Sequence, residues 1–152
     1  MRHGVRNPPS DEVKYEPGEL KVVAYKNGKQ WTEAVMKTTG PAAKVLLKAD
    51  HDTLKADGQD LSYVTVTIAD QAGLLVPRSH NRVSFSISGP GEIVAVDNGD
   101  ATSHESFQSK ERNAYNGLVL VIVRTKKGEA GTITLQARSE GLAAAEIRLR
   151  SK

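Results

Sequence analysis

The 152-residue chain has no cysteine. That excludes disulfides, thiol catalysis and cysteine-based zinc sites, and it leaves the compartment undecided. Aromatic residues make up only 5% of the chain, so there is little material for a wall of rings that stacks on sugars. Nothing approaches the roughly 18 consecutive apolar residues of a membrane span. The opening MRHGVRNPPSDEV lacks the apolar centre of a signal peptide, as expected of a cytoplasmic chain or of a piece of a longer precursor. Net charge is +3, but the cations are scattered among acids and are densest at Lys126-Lys127 and Arg148-Leu149-Arg150. Nucleic-acid binders more often cluster cations with aromatics, so neither nucleic acid nor a membrane is an expected partner. His3, His51, His80 and His104 are dispersed and make no ligand pair at helical spacing. No window makes a persuasive amphipathic helix.

What is present is strand signal. Residues 1–14, with Asn7-Pro8-Pro9-Ser10-Asp11, read as a flexible linker. Gly18 to Thr38 reads as a β-hairpin around Asn27-Gly28, because both central residues of a type I′ turn need positive φ. Trp31 to Thr38 is the expected returning strand. A lone hairpin is at best marginal in water, so it must lean on something else. Gly40-Pro41 breaks the pattern. Beyond it the predicted strands are Lys44–Ala49, Leu61–Ala69, Arg82–Ser88, Glu92–Val96, Leu118–Val123, Thr132–Arg138 and Ala145–Leu149, most of them alternating apolar and polar. Leu118–Val123 is apolar on both sides, as expected of a central strand covered twice. About seven short strands with turns between them predict an all-β fold, an immunoglobulin-like β-sandwich over 41–152.

One stretch departs from this pattern. Ala95 to Gly117, AVDNGDATSHESFQSKERNAYNG, gathers reactive residue types. Ser103-His104-Glu105 holds the letters of a triad, but neighbours on an extended chain point apart, and a triad needs its members within hydrogen-bond reach. Asp97, Asp100 and Glu105 are candidate paired carboxylates for glycoside hydrolysis, though a polar loop that satisfies its own backbone accounts for them equally. The same three oxygen donors are candidate ligands for a hard cation such as calcium, without the spacing of a twelve-residue calcium loop. Arg112 is placed to pair with Glu105. Phe85 alternates into the core, while Phe107 and Tyr115 are expected as anchors of the loop. Trp31, Asn98 and Tyr115 are the candidates for a ligand or interdomain contact.

Several motifs carry a resemblance. Tyr15-Glu16-Pro17-Gly18-Glu19-Leu20-Lys21 and Val23-Ala24-Tyr25-Lys26-Asn27-Gly28-Lys29 resemble a segment downstream of the catalytic barrel in glycoside hydrolase family 2. Leu54-Lys55-Ala56-Asp57-Gly58-Gln59-Asp60-Leu61-Ser62-Tyr63-Val64-Thr65-Val66 resembles the start of the immunoglobulin-like domain that follows it. Val96-Asp97-Asn98-Gly99-Asp100, Ser103-His104-Glu105, Phe107 and Arg112-Asn113-Ala114-Tyr115-Asn116-Gly117-Leu118 resemble that domain's signature loop. The resemblance is to β-galactosidase-like, Bacteroides-type members, and it implies that this chain is the C-terminal region of a retaining glycosidase, periplasmic or extracellular. The implied partners are the upstream domains of the same polypeptide, a catalytic barrel and β-domains, with residues 15–40 the tail of the last of these. The implied catalytic glutamates lie in the barrel. No residue here matches them, so no catalytic residue and no cofactor are expected in this chain. The family commonly has Pro after Asn-Gly-Asp, where this chain has Ala101. An accessory carbohydrate-binding module and an adhesin-type bacterial immunoglobulin-like repeat remain as alternatives.

Overall fold

The computed structural model describes residues 16–152. The linker expected over residues 1–14, and Tyr15 at the start of the hairpin segment, lie outside them. The chain divides into two compact units between Thr38 and Thr39, one residue pair before the Gly40-Pro41 break.

The first unit is a two-stranded antiparallel ribbon of β1 (Glu19–Lys26) and β2 (Lys29–Lys37). Asn27 and Gly28 turn it with φ of 53° and 74°, the two positive values a type I′ turn requires. Across the ribbon Leu20 faces Met36 and Val22 faces Ala34, while alternation gives Lys21, Glu33, Glu19 and Lys37 the other side, where they form two ion pairs. The return strand starts at Lys29 rather than at Trp31. A register shift opposite Ala24 and Tyr25 leaves Trp31 as the extra residue of a bulge.

The second unit is a sandwich of two sheets with no helix. One sheet has the order β3 (Lys44–Ala49), β5 (Leu61–Ala69), β9 (Leu118–Thr125), β7 (Gly91–Asp97), all antiparallel. The other has β4 (Thr53–Leu54), β11 (Ala145–Ser151), β10 (Gly131–Ser139), β6 (Arg82–Ser88), β8 (Glu111–Asn113). Here β4 pairs parallel to β11 and the rest are antiparallel. The sandwich thus has nine strands rather than about seven. The two additions, β4 and β8, are too short to show a period of two in the sequence.

The core follows from alternation. Val64, Val66 and Ile68 of β5 and Val119, Val121 and Val123 of β9 meet Val83 and Phe85 of β6 and Ile133, Leu135 and Ala137 of β10. Phe85 is buried, as its parity predicts. β9 is central, between β5 and β7, but its second apolar row is not fully covered. Leu118 is 38% exposed, and Leu120 and Ile122 are only half-buried, so the expectation of cover on both faces is met on the inner face alone.

Side-chain and main-chain bonds hold the corners. The Asp70 carboxylate accepts the amide of Gly40 at 2.9 Å and that of Leu74 at 2.8 Å, tying the entry of the sandwich to the end of β5. These amides, Gly40 first, hold its pKa below the usual carboxylate value. Asp57 does the same for the β4–β5 turn, accepting the amides of Gln59 and Asp60, each at 2.8 Å. At the β8–β9 corner Asn116 and Gly117 take φ of 51° and 77°, and Tyr115 and Leu118 exchange both backbone hydrogen bonds. This is a second I′ turn with the same Asn-Gly pair as the hairpin. A Cβ on Gly117 would stand 2.4 Å from the Val76 carbonyl oxygen, so both its φ and its surroundings require glycine.

Candidate functional site

β7 is an edge of one sheet and β8 is an edge of the other. The polar stretch joins them and spans the gap. The Val96 amide of β7 donates to the Phe107 carbonyl at 2.7 Å, and the Phe85 amide of β6 donates to the Lys110 carbonyl at 2.7 Å. The first bond covers a group of the edge strand β7, the usual liability of an edge strand, and the second extends the β6–β8 pairing by one residue.

Arg112 organises this end. Within β8 it pairs with Val83 and points inward with the core residues, and it is 1% exposed. One guanidinium nitrogen, Nη1, donates to the Glu105 carbonyl at 2.8 Å. Nη2 reaches Asn98 Oδ1 at 3.2 Å and Asp97 Oδ1 at 3.3 Å. Nε faces Glu105 Oε2 at 3.5 Å, close enough for ion pairing and without a hydrogen bond. The Phe107 ring lies against the guanidinium, 5.3 Å from centroid to Cζ. A buried cation is costly unless paired and hydrogen-bonded, and each of these groups answers that need.

The remaining polar groups engage one another. Glu105 Oε1 accepts Asn113 Nδ2 at 2.7 Å, and Oε2 accepts the Asn113 amide at 3.3 Å. Asn98 Nδ2 donates to the Asn113 carbonyl at 2.9 Å, while Asn98 Oδ1 accepts the Asp100 amide at 3.0 Å. Asp97 Oδ1 also accepts the amides of Asn98 and Gly99. Asp100 Oδ1 accepts the Thr102 hydroxyl at 2.7 Å and its amide at 2.9 Å, and these two bonds, the hydroxyl first, lower the Asp100 pKa. Ser103 accepts the Glu105 amide, so the triad letters make a local turn.

Asp97, Asn98, Glu105 and Arg112 come together, with Asp100 tied in through the Asn98 side chain. Trp31 belongs to the other unit, 69% exposed, with the Lys26 ammonium 5.6 Å from its ring centre. Tyr115 stands apart beside His80, ring centres 6.4 Å apart. Of the two rings expected as loop anchors, Phe107 is 56% exposed and Tyr115 38% exposed; Phe107 holds to the sandwich through its face on the guanidinium. It rests on Arg112 because the guanidinium, not an aromatic ring, fills the end of the core. Among the described residues no three His, Asp or Glu side chains converge to hold a metal ion.

A shallow groove of about 500 Å³ lies beside β6 and β7, with Phe85, Ile87 and Ile93 along it and Lys110 and Lys126 at its rim. Its carboxylate, Glu92, is held by Nε and Nη2 of Arg124 at 2.9 and 2.7 Å. Glycoside hydrolysis of the usual kind needs two facing carboxyl groups, and this groove offers one, already paired.

The pairing of Arg112 with Glu105 was legible from their nearness in sequence; its burial was not. β8 had one unused signal, the Asn116-Gly117 pair, which marks a tight turn and therefore a strand just before it.

Residues 45–148 match the family described as glycoside hydrolase family 2 C-terminal domain 5, and residues 11–32 match a domain of unknown function, DUF4982. The chain is 41% identical over 137 residues to the β-galactosidase BoGH2A of Bacteroides ovatus, covering 90% of this chain and 16% of that protein. It is 29% identical to a β-glucuronidase of Formosa agariphila, covering 93% of this chain and 14% of that one. Among solved structures, a glycosyl hydrolase family 2 member from Bacteroides cellulosilyticus superposes with a TM-score of 0.89 at 35% identity, over 92% of this chain and 18% of that chain. The chain thus spans about a sixth of the length of such relatives.

Proposed function

This chain belongs to the glycoside hydrolase family 2 C-terminal domain 5 family, and from that premise we propose that it is a non-catalytic C-terminal part of a β-galactosidase-like glycosidase. Residues 39–152 serve as a packing and positioning module for the rest of that polypeptide. The observation that carries this reading is the polar stretch of residues 97–110: Asp97, Asp100 and Glu105 are each engaged by amides, a hydroxyl or the Arg112 guanidinium. Within this loop, the described side chains leave no base beside a nucleophile and no free facing pair of carboxyl groups, which supports a non-catalytic role.

The ribbon is the tail of a preceding β-domain. Leu20, Val22 and Met36 are exposed in it, and two strands that expose their apolar residues need further strands to be stable. Substrate turnover belongs to upstream domains, and the polypeptide works in the periplasm or outside the cell; fractionation of the producing cells tests the last point. The central test is an assay of this chain on a chromogenic β-galactoside. No turnover is expected. Turnover that disappears with Glu105→Ala would refute the reading.

The exposed Trp31 favours a second reading, an accessory sugar-binding module. Titration with galactosides, followed by Trp31 fluorescence, separates the two: a saturable shift supports the module, and none supports a packing role.

A further inference from the structure

The two outer faces of the sandwich differ in chemistry. On the β4-β11-β10-β6-β8 sheet the outward rows are Ser84, Ser86 and Ser88 on β6, with Thr132 and Thr134 on β10 and Arg148 on β11 beside them. That face is suited to water. On the β3-β5-β9-β7 sheet the register sets Tyr63 opposite Ile122, Thr65 opposite Leu120 and Thr67 opposite Leu118, with Leu46 beside Thr67. These side chains form one apolar strip across three strands, with Leu46 38% and Tyr63 43% exposed.

We propose that this strip is the docking face of the sandwich for another domain of the same polypeptide, one built from residues outside this chain. The inference rests on the reading of the chain as part of a longer glycosidase and names the surface through which it packs. The strand pattern shows that this face is built to be covered, and chain length and linkage favour that occupant over a second copy or a free partner. β9 is apolar on both faces, the pattern of a strand covered twice, and residues 39–152 cover one face. Family relatives are about five to six times as long as this chain, so on this reading most of the polypeptide lies outside it. A covalently linked domain also has an effective concentration near the millimolar range, which a separate copy does not match. At the β3 border Lys48 projects outward without an ionic partner among the described residues, and Lys44 donates to the Gln71 carbonyl. The partner therefore presents an apolar centre and an acidic border toward β3.

These 152 residues hold no cysteine, so an introduced thiol is the only one in this chain, and reading by peptide separates it from thiols elsewhere in the full-length polypeptide. Leu118→Cys and Thr65→Cys on the strip, and Ser86→Cys on the opposite face, are prepared in this chain and in the full-length polypeptide. Their maleimide labelling rates are read by peptide mass. In this chain all three label at comparable rates. In the full-length protein the two strip variants slow by tenfold or more while Ser86→Cys does not. Equal labelling of the two faces in the full-length protein overturns the proposal. Protection within this chain that grows with its concentration also overturns it, because a second copy would then be the occupant. Deleting residues 39–152 from the full-length protein separates the two levels. If deletion lowers its melting temperature while the strip labels freely, this inference fails and the packing role stands; if deletion changes nothing, both fail.

Discussion

Replacing Arg112 by alanine tests whether one buried guanidinium organises the loop end of the sandwich. Its stem is buried, and alanine keeps Cβ, so two methylenes are lost, about 2 kcal/mol at about 0.8 kcal/mol each. Removing one partner of a fully buried ion pair costs about 3–5 kcal/mol. Here Asp97 and Glu105 keep 41% and 33% of their side-chain surface in solvent, so water partly replaces the lost cation and that part falls to about 1–2 kcal/mol. The total is about 3–4 kcal/mol. For a domain of roughly 110 residues at about 4 °C per kcal/mol, the melting temperature drops by about 12–16 °C. Urea denaturation followed by circular dichroism gives the same quantity through the midpoint, with an unchanged slope if two-state behaviour holds. Arg112→Met retains the stem and removes the fork, so it isolates the polar part and costs about 1–2 kcal/mol. A cycle pairing Arg112→Met with Glu105→Gln should show a coupling of about 0.5–2 kcal/mol. A melting temperature within 2 °C of the parent for Arg112→Ala would refute the reasoning, since neither the packing nor the pairing would then matter.

Acid should destabilise the sandwich in a defined window. Asp57, Asp70 and Asp100 have folded pKa values lowered by amide and hydroxyl donors, so their contribution is complete above the unfolded value near 4 and is lost as pH falls through the folded values. Melting temperature is then flat from about pH 8 to 5 and falls below about pH 4, less steeply in Asp70→Asn; a flat profile down to pH 2.5 contradicts this. Gly117→Ala forces a Cβ to within 2.4 Å of the Val76 carbonyl at φ 77°. A loss of at least about 2 kcal/mol is expected in urea denaturation. Ala101→Pro should act in the opposite direction. The Ser103 amide donates to the Asp100 carbonyl, which puts Ala101 at the second position of a turn, where proline is favoured. A gain of about 0.4–1 kcal/mol is expected, and a loss would show that the backbone there is incompatible with the ring.

The strands were legible because their cause is local. LSYVTVTIA and RVSFSIS alternate with a period of two, and that period alone assigns Val64, Val66, Val83 and Phe85 to the core. The turns were legible for the same reason, since Asn27-Gly28 supplies positive φ whatever surrounds it. Glu111-Arg112-Asn113 was not legible as a strand. Three polar residues carry no hydrophobic period, and β8 exists only because β6 is there to pair with it. Thr53-Leu54 failed likewise, being held by β11, nearly a hundred positions later.

By itself, then, the sequence determined the all-β class, the core-facing parity of each long strand, and a chain whose loop residues resemble one glycosidase family. Each of these depends on neighbours a few residues apart or on recognisable words. Tertiary structure decided the rest: which edges the polar loop bridges, that Arg112 turns inward, and that one sheet face keeps an apolar strip in solvent. These depend on contacts between distant segments. A buried arginine and a solvent arginine are spelled alike, and only the acceptors gathered around Arg112 by the folding of β7, β8 and the loop between them make its burial affordable.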